Sequence, residues 1–283
     1  MSKITGYLRL IRPVNCIMMG IAVIVGMILA NPDFSKFPFL NSVNGFLTGF
    51  LLTASSMAIN DYYDREIDAV NEPNRPIPSG LIKPEDALIF AIILVVIGVI
   101  TAFLINILCF VTAIVSWIIS VLYATVGKRT GLFGNFLVST CVAVPFIYGS
   151  IASVGTVKSN VLIFASMAFL SNTGREITKG IVDVQGDRMK NVKTLAVRYG
   201  EKTAAVTAVL FYLAAISLTP LPYLFKFVSF WFIPLVCITD VGLATSSIML
   251  LRDYSRENAR KIKKIVLLWF LTGLLAFVIG VLK

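Results

Sequence analysis

The chain has 283 residues, of which 57% are hydrophobic and 14% charged, and its mean hydropathy is +0.87. That composition lies outside the soluble globular range and identifies an integral membrane protein. The formal charge of +10 is spread over several short loops rather than one basic face, which points to membrane topology and anionic lipids and excludes a nucleic-acid partner.

Apolar stretches long enough to cross a bilayer, which takes about 20 residues, recur along the chain with no soluble domain between them. They predict an all-α polytopic membrane protein built as a single domain over residues 1–283. The expected spans are Pro13 to Ala30, Ser42 to Ile59, Ala87 to Ile105, Leu108 to Val126, Phe133 to Ser153, Val161 to Gly174, Thr203 to Thr219, Ser229 to Leu251 and Ile265 to Leu282. The charge-free run from Ala87 to Gly127 is divided by length around Asn106, and the short sixth span is expected to continue as helix past Arg175. Met1 to Arg12 lacks the pattern of a cleavable signal peptide, so the first span is expected to remain.

Threading these nine spans alternately places 21 of the 25 Lys and Arg residues on one side, leaving Lys36, Lys158, Lys226 and Lys283 on the other. The basic side is the cytoplasmic side. The chain is therefore expected in the cell membrane with its amino terminus, and the loops bearing the acidic clusters below, in the cytoplasm.

Cys16, Cys109, Cys141 and Cys237 each fall in an apolar span without a CxxC pair and read as reduced packing residues. The absence of histidine excludes histidine-ligated zinc and a Ser-His-Asp triad. Chemistry must then rest on carboxylates, amides, phenols, Lys, Arg and bound metal. Asp240 lies inside the eighth span and stays outside the candidate site, while Pro145, Pro220, Pro222 and Pro234 read as kinks or helix ends.

Two acidic clusters stand at the ends of apolar stretches, Asn60 to Asp68 and Asp183 to Asp187. Asn60, Asp64 and Asp68 are four residues apart and share one face of a continuing helix, with Asp61 flanking. Asp183 and Asp187 repeat the spacing, and Glu176, Arg175 and Lys179 precede them. Hard oxygen ligands in these positions invite a divalent cation, and Mg²⁺ is favoured because it takes few protein carboxylates and completes its shell with water and phosphate. Either cluster alone also reads as a solvated face held by ordinary ion pairs. The segments from Asp64 and from Asp183 echo each other weakly, each passing from a DxxxD pair into a polar loop with Asn and a base.

The chain resembles the UbiA superfamily of intramembrane prenyltransferases over essentially its full length. The resemblance is carried by Asn60-Asp61-x-x-Asp64-x-x-x-Asp68, Asn74-Arg75-Pro76-Ile77-Pro78-Ser79-Gly80, Tyr123 with Lys128-Arg129 and Gly134-Asn135, and Asp183-x-x-x-Asp187. It implies nine helices around a central cavity open to a cytoplasmic-side active site, Asp-rich motifs that bind Mg²⁺, and an isoprenyl diphosphate whose tail lies among the helices. Within the superfamily, Gly174 to Asp187 looks most like the digeranylgeranylglyceryl phosphate synthases of archaeal ether-lipid synthesis. Those enzymes join a second geranylgeranyl chain to the free hydroxyl of geranylgeranylglyceryl phosphate.

Breaking an allylic carbon–oxygen bond puts negative charge on diphosphate and positive charge on the allyl group, so a catalyst must stabilise the first and keep water from the second. Asn60, Asp64, Asp68, Asp183 and Asp187 are the expected metal ligands, and Arg75 and Lys128 the expected direct phosphate contacts. Tyr123 is the candidate to face the allylic carbon. Glu176, Asp61 and the released diphosphate are alternative proton acceptors. Arg175, Lys179 and Arg12 with Asn15 are candidates for a phosphate on the acceptor, or alternatively interfacial anchors. Transfer to an aromatic acceptor is the nearest alternative reaction, and a cation-coupled secondary transporter the alternative from another class.

Overall fold

A computed structural model describes residues 3–189 and 192–281, with the side chains of 34, 67, 70 and 71 left aside. Among the described residues every regular element is a helix. In chain order these are α1 (Lys3–Ile11), α2 (Pro13–Ala30), α3 (Phe39–Asn71), α4 (Pro84–Phe103), α5 (Ile107–Thr125), α6 (Leu132–Val154), α7 (Ser159–Val182), α8 (Val184–Met189), α9 (Leu195–Tyr199), α10 (Glu201–Leu218), α11 (Leu221–Leu224), α12 (Phe232–Arg252) and α13 (Arg256–Val281). Short 3-10 turns occupy Phe34–Lys36 and Gly127–Arg129.

Each of the nine expected spans falls on a long helix, but eight of these helices are long and apolar enough to cross a membrane. The exception is α7. It has 24 residues, yet its second half carries Asn172, Thr173, Arg175, Glu176 and Lys179, which lower the hydropathy of any window long enough to span. Two boundaries also move. The expected start of the ninth span at Ile265 lies well inside α13, because Arg256 to Lys264 is charged and still helical, and Leu282 at its expected end lies outside the described residues. Lys190 and Lys283, counted in the charge asymmetry, also lie outside them.

Between α4 and α5 the break falls at the expected Asn106, whose side-chain Oδ1 accepts from the Cys109 amide at 2.8 Å. An Asn oxygen on a first-turn amide satisfies a donor that the starting helix leaves open. Cys16 and Cys109 are buried, Cys141 is half-buried and Cys237 exposed, all as free thiols.

The chain forms two compact units, Met1–Thr125 with Val144–Val157, and Val126–Ala143 with Lys158–Lys283. In the first, α2 packs on α3, α3 on α4, and the second half of α6 lies against α2. A Cβ on Gly149 would stand 2.2 Å from the Val23 carbonyl oxygen, and one on Gly26 would stand 2.3 Å from that of Phe146. Helices approach this closely in membranes by van der Waals contact between small residues, since lipid offers no hydrophobic drive for them to associate. Buried Tyr148 adds a hydrogen bond to Thr48 at 3.2 Å, and Thr48 shares another with Thr101 at 2.9 Å.

In the second unit α7 packs on α10 and α13, and α12 on α13. Ile177, Ile181 and Val182 of α7 meet Ala204, Ala208 and Tyr212 of α10 and Ala259, Ile262 and Val266 of α13 in one apolar cluster. The fully buried Tyr212 shares a hydrogen bond with Thr178 at 3.1 Å. These contacts hold the polar half of α7 in register with both neighbours.

Gly149→Leu should lower the thermal unfolding temperature of purified protein, because overpacking a tight contact costs about 1–3 kcal/mol. Gly186→Ala, which meets nothing within 4 Å, should leave that temperature unchanged. Equal stability of the two variants would show that the α2–α6 contact is looser than described.

Candidate active site

The first acidic cluster rides on the last three turns of α3, which continues well past the apolar stretch, so Asn60, Asp61, Asp64 and Asp68 are all helical. The Asn60 amide donates to Asp64 Oδ2 at 3.0 Å, one turn along the same face. Asp61 and Asp68 are buried, and both are held by arginines. Arg12 Nη2 donates to Asp61 Oδ1 at 2.5 Å. Arg75 Nη1 donates to Asp68 Oδ2 and reaches Asp61 Oδ1 at 3.5 Å.

Local folding places both arginines. Arg12 joins α1 to α2 at φ 51° and ψ 71°, a left-handed conformation rare for a non-glycine residue. Pro13 follows it at the start of α2, and the Arg12 carbonyl accepts from the Asn15 amide at 2.9 Å. The strained elbow is stabilised by what it positions: Leu10 and Ile11 are buried, and the Arg12 guanidinium reaches Asp61. Arg75 stands in the loop after α3, which folds as successive turns with Arg75 N–H on Glu72 O and Ser79 N–H on Arg75 O. Ile77 and Ile82 anchor that loop in an apolar cluster with Leu10, Ala58 and Ala87, and Arg9 donates to the Asn74 carbonyl at 2.9 Å. Asn15, expected beside a phosphate with Arg12, is exposed on the first turn of α2, whereas Arg12 itself is committed to Asp61.

The second cluster begins where α7 ends. Asp183 caps α7, its amide bonding to the Lys179 carbonyl, and its own carbonyl accepts from Asp187 N–H at 2.9 Å, so the helical path runs on into α8. Asp183 is exposed and Asp187 half-buried. Glu176, one helical stretch earlier, receives Arg175 Nη1 at 2.9 Å and Lys179 Nζ at 3.1 Å. Two of the cations that the sequence offers for an acceptor phosphate, Arg175 and Lys179, therefore touch one of the carboxylates that it offers as a base. The Nε of Arg175 is buried without an acceptor. Lys263 of α13 lies within electrostatic reach of Asp183, Glu176, Lys179 and Arg175.

Lys128 is half-buried in the 3-10 turn Gly127–Arg129, and Tyr123 half-buried in the last turns of α5. Gly131, just beyond Lys128, has φ 68°, and a Cβ there would stand 2.4 Å from the Lys193 carbonyl. The turn that carries Lys128 is thereby pressed against the loop that follows Asp187. Glycine is needed here both for the left-handed backbone and for the close approach.

Residues 19–280 match the UbiA prenyltransferase family. The chain belongs to that family. It is 37% identical over 291 aligned residues to digeranylgeranylglyceryl phosphate synthase of Methanosarcina mazei, with 99% of each chain covered. A solved structure of digeranylgeranylglyceryl phosphate synthase superposes on it with a TM-score of 0.86 at 33% identity, covering 100% of both chains. A UbiA homolog from Archaeoglobus fulgidus, bound to DMAPP and Mg²⁺, superposes with a TM-score of 0.68 over 96% of this chain and 99% of its own; at 19% identity that likeness shows the fold. The protein is thus a polytopic membrane prenyltransferase.

The all-oxygen donors of the two clusters suit a hard divalent cation. Among the described residues no three Asp, Glu, Cys or His side chains converge, so each cluster offers a few ligands rather than a closed cage. That fits Mg²⁺, which retains water and takes phosphate oxygens.

Removing Arg12 leaves Asp61 buried against the longer Arg75 contact alone. Arg12→Ala should therefore lower thermal stability, and the double variant Arg12→Ala with Asp61→Asn should recover part of the loss, because the uncompensated charge has gone. A double variant less stable than Arg12→Ala would refute the charge-pair account of the elbow.

Proposed function

We propose that the protein is a Mg²⁺-dependent geranylgeranyltransferase that moves the prenyl group of geranylgeranyl diphosphate onto the free glycerol hydroxyl of geranylgeranylglyceryl phosphate, forming the second ether bond of an archaeal lipid. Its full-length likeness to digeranylgeranylglyceryl phosphate synthases carries this reading. We read α7 as a ninth crossing, the whole chain as one transmembrane domain, and the loops of both acidic clusters as cytoplasmic.

Asn60, Asp64, Asp68, Asp183 and Asp187 are the residues that would hold Mg²⁺. When bound, the metal supplies positive charge that stabilises diphosphate as it leaves. Arg75, steadied by its loop, and Lys128, steadied by the turn at Gly131, bring direct cationic donors to phosphate oxygens. Tyr123 offers its ring face to the allylic carbon, and the apolar helices keep water from the developing cation. The C1–oxygen bond of the prenyl diphosphate breaks with its electron pair passing to diphosphate, and the glycerol oxygen bonds to C1 and loses its proton. Glu176 and Asp61 both accept from arginines and are poorly disposed to take that proton, which favours the departing diphosphate as acceptor.

Purified protein with Mg²⁺, geranylgeranyl diphosphate and geranylgeranylglyceryl phosphate should release pyrophosphate and form the diether, and an aromatic quinone or haem precursor should not compete. Asp64→Ala and Asp183→Ala should each reduce turnover by about 10²-fold or more with expression intact. Full activity in either variant removes that residue from the proposed metal ligands, and exclusive use of the aromatic acceptor overturns the substrate assignment.

A further inference from the structure

The second unit gathers more cations around Glu176 than one carboxylate needs. Arg175 and Lys179 pair with it directly, and Lys263 approaches the same group from another helix. Lys263 is placed by packing. Seven residues before it, on the same face of α13, Arg256 donates Nε to the Val182 carbonyl at 3.0 Å, where α7 ends. Between them Ala259 and Ile262 are fully buried against Ile177, Ile181 and Val182. This zipper fixes α13 along the polar half of α7 and keeps Lys263 within electrostatic reach of Glu176 and Asp183.

Three cations then face two carboxylates, and a buried guanidinium N–H of Arg175 has no acceptor. A buried donor without a partner is costly, and a guanidinium with one edge engaged can still grip an oxyanion with another. The location selects the kind of anion. The apolar stretch of α7 ends at Gly174, immediately before Arg175, so an anion held here lies where a lipid's headgroup meets its chain. A phosphomonoester is well matched by direct cationic N–H donors of this kind.

We infer that Lys263, with Arg175 and Lys179, forms a site for the phosphomonoester headgroup of the lipid acceptor. The site rests on the prenyl-transfer reading for its ligand and on the α7–α13 packing for its geometry. Lys263 acts as a substrate-binding residue that distinguishes a phosphorylated acceptor from an uncharged one.

The test uses full-length protein in nanodiscs of zwitterionic lipid, with geranylgeranyl diphosphate, Mg²⁺ and either geranylgeranylglyceryl phosphate or its dephosphorylated alcohol. Lys263→Gln should raise the KM for the phosphorylated acceptor by about tenfold or more, leave the KM for the diphosphate unchanged, and not alter the rate with the alcohol. Lys263→Arg should restore most of the loss, and Lys264→Gln, exposed one residue along, should change neither KM. A rise confined to the diphosphate KM, or no change in either, overturns the inference. Binding of geranylgeranylglyceryl phosphate in excess chelator, measured by thermal shift, separates this from the function itself. Weaker binding to Lys263→Gln than to wild type supports the site even where no ether forms, and equal binding rejects it even where wild type is active.

Discussion

The ion pairs that Arg12 and Arg75 make with Asp61 and Asp68 are the constraint around which the first unit is arranged. Carboxylates carried on a helix as it leaves an apolar layer are expensive to keep charged, and the expense grows as the surroundings bury them. The protein answers with one arginine from each side of α3 in sequence. Arg12 is delivered by a left-handed elbow before the helix, and Arg75 by a turn-rich loop after it that Ile77 and Ile82 fasten down. Asp64, between the two buried carboxylates, accepts from the neutral amide of Asn60.

The second unit meets the same cost differently. Glu176 is neutralised from its own helix by Arg175 and Lys179, and α13 adds Lys263 from across the packing seam. Asp183 and Asp187 stand past the end of α7, the first exposed and the second half-buried. The two acidic clusters are therefore similar in spacing and different in support: the first is braced by loops, the second by a helix partner.

Much of the architecture was legible in the chain because membrane-crossing helices are written as long apolar runs. The break at Asn106 was found by length alone, and the continuation of α3 past Ile59 by the four-residue spacing of its oxygen ligands. Charge density hid the other boundaries. The start of α13 was missed because Arg256 to Lys264 carries the signature of a loop while packing one face, Ala259 and Ile262, into the core. α7 falls short as a span for the same reason, since its polar half is covered by α10 and α13 rather than by lipid. In the site, spacing identified the acidic residues but not their partners. Arg12 lies 49 positions from Asp61, and nothing periodic links Lys263 to Glu176. In sequence Arg12 reads as a phosphate contact or an interfacial anchor and Lys263 only as a topogenic charge, because a lone basic residue looks the same in each role until the helices are packed.

The proposed function rests on one claim: carboxylates of α3 and carboxylates at the α7–α8 junction each hold the metal that prenyl transfer needs. The direct measurement is a structure of the full-length protein with Mn²⁺ in place of Mg²⁺ and geranylgeranyl thiolodiphosphate, with the metal located by anomalous scattering. The account predicts metal ligated by Asp64 or Asp68 and metal ligated by Asp183 or Asp187. Metal held at one cluster alone would contradict the account.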